Sequence, residues 1–124
     1  MFVWLGDNVY ADTQSRVIPT IWYPASPEVM AEKLLAQSEV PTYRAFKEWA
    51  KAAGRPIVGT WDDHDYGQNN GDRTYPHREV AQQLMLDFLE EPADSARRQR
   101  QGIYEAYTVG EAGKQVQMVL LDVR

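Results

Sequence analysis

Asp62, Asp63, His64 and Asp65 put three carboxylates and an imidazole on four consecutive positions. Adjacent carboxylates repel one another unless water or a positive charge lies between them. Oxygen and imidazole donors suit hard or borderline cations, so a bound metal ion is the simplest partner for such a run. A second acidic stretch, Gly6-Asp7-Asn8-Val9-Tyr10-Ala11-Asp12, and a third, Leu121-Asp122-Val123-Arg124, offer further oxygen donors. A cation held by these groups neutralises phosphate oxygens and lowers the pKa of a bound water, and two neighbouring cations stabilise both the attacking and the leaving oxygen. Taken singly, each feature has a plainer meaning. Gly6-Asp7 makes a turn or a cap, His64 alone is a structural histidine, and Asn69-Asn70-Gly71-Asp72 is a competent turn. Only the combination points to chemistry.

Those loops need elements that place them. Phe2 to Leu5 is a short apolar run stopped by Gly6 and reads as a buried strand. Asp7 to Tyr23 has no periodicity and reads as a functional loop. Ser26, Pro27 and Glu28 start a helix that runs to about Gln37. A second helix spans about Thr42 to Ala53, with Phe46, Trp49 and Ala53 on one face, and Gly54 and Pro56 end it. Pro56 to Trp61 reads as a second buried strand, followed by a polar loop to Pro76. The helix from about His77 to Glu90 carries one row of Val80, Leu84 and Phe88 and an adjacent row of Ala81, Met85 and Leu89. Ile103 to Val109 and Gln115 to Leu121 form a β-hairpin about the turn Gly110 to Gly113. Strand, helices, strand, helix, hairpin is an α/β order, with the first two strands parallel because helices intervene. Both main acidic loops then follow a strand, where ligands of α/β proteins bind.

Composition narrows the class. The 124 residues suit one domain, and a hydrophobic fraction of 44% with 25% charged residues is that of a globular chain. The absence of cysteine excludes disulfides and thiolate metal sites. Thirteen basic against 18 acidic residues give a net charge of -5, which argues against a nucleic-acid partner. The densest basic run, Arg97, Arg98 and Arg100, reads as a solvated face. No apolar run is long enough to span a bilayer. No signal peptide is apparent before Phe2, and compartment and oligomeric state stay open.

The three acidic segments together resemble the alkaline phosphatase D (PhoD-like) family of the calcineurin-like metallophosphoesterases. Trp-Leu-Gly-Asp-Asn-Val-Tyr-Ala-Asp at 4–12 is similar to that family's Gly-Asp-x-x-Tyr motif. Thr-Trp-Asp-Asp-His-Asp-Tyr-Gly at 60–67 resembles its Trp-Asp-Asp-His-Asp/Glu motif, and Leu-Leu-Asp-Val-Arg at 120–124 its Leu-Asp-x-Arg strand. The resemblance implies an α/β sandwich of two packed sheets flanked by helices, phosphomonoester or phosphodiester hydrolysis, and iron and calcium ions as cofactors. It makes Asp7, Tyr10, Asp63 and Asn69 metal ligands, Tyr10 as a phenolate. It makes His64 the catalytic residue that protonates the leaving group or hydrogen-bonds the phosphate, and Asn8 a second substrate-binding residue beside His64. Asp62, Asp122 and Arg124 are expected to buttress the site.

The chain departs from the family in having no cysteine ligand and no Gly-Asp-x-His motif after the Leu-Asp-x-Arg strand. Residues 1–124 are therefore read as an internal part of such a domain, with weak metal binding and little or no turnover on its own. A non-enzymatic metal-binding or interaction module from a truncated gene is the alternative. Uncovered strand edges are expected to make the isolated chain self-associate or fold only in part.

Overall fold

A computed structural model describes residues 1–124. Its centre is a parallel pair of strands, β1 (Phe2–Leu5) and β4 (Ile57–Thr60), in register from Phe2↔Ile57 to Leu5↔Thr60. The connection between them holds a two-residue antiparallel pair, β2 (Thr13–Gln14) with β3 (Trp22–Tyr23), then helices α1 (Pro27–Ser38) and α2 (Pro41–Ala52). After β4 come a one-turn helix α3 (Asp63–Tyr66), helix α4 (Arg78–Phe88) and a 3-10 turn at Ala96–Arg98. The hairpin of β5 (Glu105–Val109) and β6 (Val116–Leu120) ends the order. The mixed α/β class and the parallel first pair agree with the sequence reading. The sheets are three separate two-stranded pairs. No helix is long and apolar enough to cross a membrane.

Local chemistry accounts for the helices. The Ser26 hydroxyl accepts from the Val29 amide at 3.4 Å, and Pro27 follows at the first helical position. Met30 and Leu34, one turn apart, are the buried residues of α1, and the helix lies against α4. Helix α4 buries Ala81, Met85 and Leu89 together with Gln82, Leu86 and Phe88. Of the two rows expected to be apolar, only the second is core throughout, since Val80 remains 43% exposed. The stripe turns toward Gln82 because that side chain caps loop groups: its amide donates to the carbonyls of Arg97 and Arg100, and its oxygen accepts from the Gly102 amide.

Three further expectations change. In α2 the buried residues are Tyr43 and Ala50, while Trp49 is 54% exposed. Tyr43 faces the core, stacking on Phe88 at 5.6 Å, and Trp49 is turned out to meet Arg55 at 5.2 Å. Strand β1 is only half covered. Phe2 and Trp4 point toward α2, with Phe2 at 4.9 Å from Phe46 and Trp4 at 6.1 Å from Tyr43, while Leu5 on the other face is 74% exposed.

The third change is Arg97, expected on a solvated face and found 1% exposed. Its guanidinium donates to the carbonyls of Gly59 at 2.9 Å and Ile103 at 3.1 Å, to Glu91 Oε2 at 2.9 Å and to the Tyr107 hydroxyl at 3.3 Å. One cation thus joins β4, the 3-10 turn and the hairpin. Arg98 pairs with Asp87 at 2.8 Å and Arg100 with Glu105 at 3.1 Å, so the whole basic run is spent on internal partners.

Candidate metal centre

Two tight turns bring the acidic loops together at the carboxyl ends of β1 and β4. Gly6 leaves β1 with φ +110°, and a Cβ there would stand 2.7 Å from Asp62 Cβ. Asp7 follows with φ +50°, a left-handed conformation that costs energy for any residue but glycine and is least unfavourable for aspartate and asparagine. Across from it, Asp62 caps α3, and the Asp65 carboxylate returns to accept from the Asp62 amide at 3.0 Å. Gly6→Ala is expected to lower stability by about 2–3 kcal/mol through overpacking and a disallowed φ. Urea unfolding of the two proteins measures this, and an unchanged midpoint would show that the loops do not need this contact.

Asp65 is the clamp between the loops. Its buried carboxylate accepts from the Val9 amide at 2.6 Å and from Asn8 Nδ2 at 3.3 Å. Burial pushes its pKa up to about 7; the Val9 amide works against this and the nearby Asp7 charge adds to it. Asn8, expected to bind substrate, has both amide hydrogens committed inward, one to Asp65 and one to the Thr60 carbonyl at 3.1 Å. In this arrangement it braces the two loops.

On this clamp, Asp7, Asp63 and His64 each present one ligand atom within 4.8 Å of the others. Asp7 is exposed, Asp63 half-buried and His64 buried. The Tyr10 hydroxyl donates to Asp7 Oδ2 at 3.2 Å, which brings a phenol oxygen to the same edge. The Asp7 charge beside it raises the Tyr10 pKa, which works against the phenolate expected at this position. Two carboxylates, an imidazole and a phenol are a hard-to-borderline donor set that fits iron and, through the oxygens, calcium. Asp63 Oδ2 accepts from the Asn70 amide at 2.6 Å, which fixes the direction of the carboxylate. No hydrogen bond joins the Asn69 side chain to the three ligands; the Asn69 backbone amide helps to hold down the pKa of Asp12.

His64 has a fixed orientation. Its Nδ1 lies 2.8 Å and 2.9 Å from the two oxygens of Asp12, and its ring is stacked on Tyr10 at 4.1 Å and packed against Trp22 at 4.3 Å. The Asp12 carboxylate is fully buried, and burial raises its pKa while the His64 hydrogen bond opposes the rise. With Nδ1–H given to Asp12, Nε2 is the nitrogen left for a metal or a phosphate oxygen. Lys33 of α1 secures this loop from outside, donating to the carbonyls of Tyr10 and Asp12.

Asp62, Asp122 and Arg124 were expected to buttress the site. Arg124 pairs with Asp62 and lies 4.0 Å from Asp63, while Asp122 accepts from Trp61 Nε1 at 2.9 Å and the Ile103 amide at 2.8 Å. Sequence reasoning counted Asp12 and Asp65 among the oxygen donors of the acidic loops but did not foresee their positioning parts, and it did not name Lys33. Asp65 had a signal, since an acid three residues after Asp62 fits a cap. Asp12 had a weaker one, an acid closing a loop that follows a strand, and Lys33 had none. No family model matches this chain, and no curated protein or solved structure matches it.

Proposed function

We propose that this chain carries a metal centre for phosphoester hydrolysis, in an α/β domain of the PhoD-like metallophosphoesterase kind. The observation that supports this reading most is the convergence of Asp7, Asp63 and His64 within 4.8 Å, from loops more than 50 residues apart in the chain. Asp7, Asp63 and Tyr10 hold the cations, iron and calcium by the resemblance, with Asn69 as a further candidate ligand. A bound cation supplies charge neutralisation on the phosphate oxygens and a water of lowered pKa. The protein residues do the rest. Asp12 holds the His64 ring in one orientation, so that Nε2 is the atom placed to hydrogen-bond the phosphate or to pass a proton to the leaving oxygen. Asp65 and Asn8 keep the two loops at a fixed separation, and Arg124 limits the repulsion between Asp62 and Asp63.

One observation favours the second reading, a cation-binding module without turnover. Asp7 is exposed and Tyr10 is 47% exposed, so no wall of the chain encloses a substrate over the cluster. One experiment separates the two. The chain is freed of metal with a chelator, reloaded with iron and calcium, and assayed for cation binding and for hydrolysis of a chromogenic phosphoester. Slow hydrolysis that vanishes on chelation and returns on reloading is the expected result. Saturable cation binding without any hydrolysis supports the module, and absence of both removes the metal centre.

A further inference from the structure

A second concave site lies away from the acidic loops, where the end of α2 meets the start of β4. It is an open cleft of about 440 Å³, within the range of small-molecule sites. Its floor is apolar, made by Ala50, Ile57 and Leu89, and its rim carries Lys47, Lys51 and Arg55 with Glu90 as the only acid. Three cations against one acid is the reverse of the chain as a whole, whose net charge is -5. Lys47 is the one engaged cation, with Glu90 at 2.7 Å. Lys51 and Arg55 enter no ion pair, and the Arg55 guanidinium lies 5.2 Å over the centre of the exposed Trp49 ring. A scattered surface lysine is solvated and needs no ligand. Cations set around an apolar hollow are different, because a ligand that fills the hollow displaces water and strengthens their pull on its charge.

Glu90, just beyond α4, takes the left-handed backbone that ends many helices, φ +56°, with its amide donating to the Asp87 carbonyl and the Glu91 amide to the Leu86 carbonyl. Its carboxylate is held by Lys47, so Lys51 and Arg55 face no other acid in the cleft.

We propose that this cleft binds an anionic amphiphile, its phosphate-type head held by Lys51 and Arg55 and its short apolar chain laid on Ala50, Ile57 and Leu89. The site is independent of the metal centre and needs no cation. The ligand is either a free molecule or the headgroup region of an anionic lipid.

The test uses the 124-residue chain in excess chelator, titrated with hexyl phosphate and followed by NMR through the backbone amides of the cleft and the Trp49 indole N–H. The expected result is saturable shifts at Ala50, Arg55, Ile57 and Trp49, with affinity at least ~10-fold above that for inorganic phosphate and for 1-hexanol, because head and tail each contribute. The double variant Lys51→Gln/Arg55→Gln changes two exposed residues and is expected to keep the melting temperature while losing ~10-fold in affinity for hexyl phosphate. Co-sedimentation with phosphatidic acid vesicles, abolished in the double variant, assigns the head to a lipid; failure to sediment assigns it to a free molecule. The proposal is overturned if hexyl phosphate binds no better than inorganic phosphate, if the double variant binds it equally well, or if the shifts fall outside the cleft. Because chelator is present throughout, these outcomes do not depend on whether the metal centre hydrolyses phosphoesters.

Discussion

Arg97→Ala is expected to lower the unfolding free energy by about 3–5 kcal/mol, the range seen when one partner of a buried ion pair is removed. In a domain whose whole stability is about 5–15 kcal/mol, that is enough to leave much of the chain unfolded. The loss has three parts. Glu91, whose side chain is only 19% exposed, keeps its charge and loses its cation. The carbonyls of Gly59 and Ile103 lose a charge-assisted donor in a place that water does not reach. The space left between β4 and the hairpin then lacks the side chain that fills it. Arg97→Lys is expected to recover less than half of the loss, because an ammonium cannot present the guanidinium fork to Glu91 and two carbonyls on different elements at once. Thermal and urea unfolding of the three proteins decide this. Equal stability of Arg97→Ala and the parent would mean that the hairpin is not joined to β4 through this residue.

Arg97 also shows what a sequence leaves unsaid. The run Arg-Arg-Gln-Arg displays its cations and hides their acceptors, which are backbone carbonyls 6 and 38 residues away. A buried arginine and a solvated one have the same neighbours in the chain. The reverse holds for β1 and β4. Each is a short stretch, Phe-Val-Trp-Leu and Ile-Val-Gly-Thr, that runs into an acidic loop, and helices lie between them, so their type and their parallel pairing were legible. Helix faces were legible only in part. Tyr43 and Trp49 are both aromatic residues of α2, six positions apart, and Arg55 gives Trp49 an outward partner that periodicity does not foresee. The two-residue pair Thr13–Gln14 with Trp22–Tyr23 is too short to leave a period of any kind.

The candidate site divides in the same way. Asp7, Asp63 and His64 could be named from residue type and from their place after strands. The partner that orients His64 could not, because Asp12 is 52 residues away and belongs to the other loop. Type and position announce ligands, whereas the groups behind them are set by how the loops cross.

That distinction yields the second large effect, a contrast between two substitutions of one acid each. Asp63→Asn keeps the size of the side chain and an oxygen able to accept from the Asn70 amide, so the loop turn is preserved. It removes one of the two carboxylate charges in the three-ligand cluster. Cation affinity is expected to fall more than ~100-fold, beyond the ~10–100-fold that loss of a supporting partner costs, and any hydrolysis with it. Asp12→Asn leaves all three ligands in place and removes the acceptor that fixes His64. An amide offers His64 Nδ1 either an oxygen or an N–H, so the ring is free to take the other tautomer, with its proton on Nε2. Cation affinity should then fall by ~10-fold or less if His64 serves mainly as proton donor, while turnover falls ~10–100-fold. Equal loss of affinity in both variants would instead make His64 a ligand whose basicity Asp12 sustains. Isothermal titration with the metal and initial rates on one phosphoester, read on the same preparations, distinguish the cases. Unchanged affinity in Asp63→Asn would remove Asp63 from the site and with it the reading of the cluster as a metal centre.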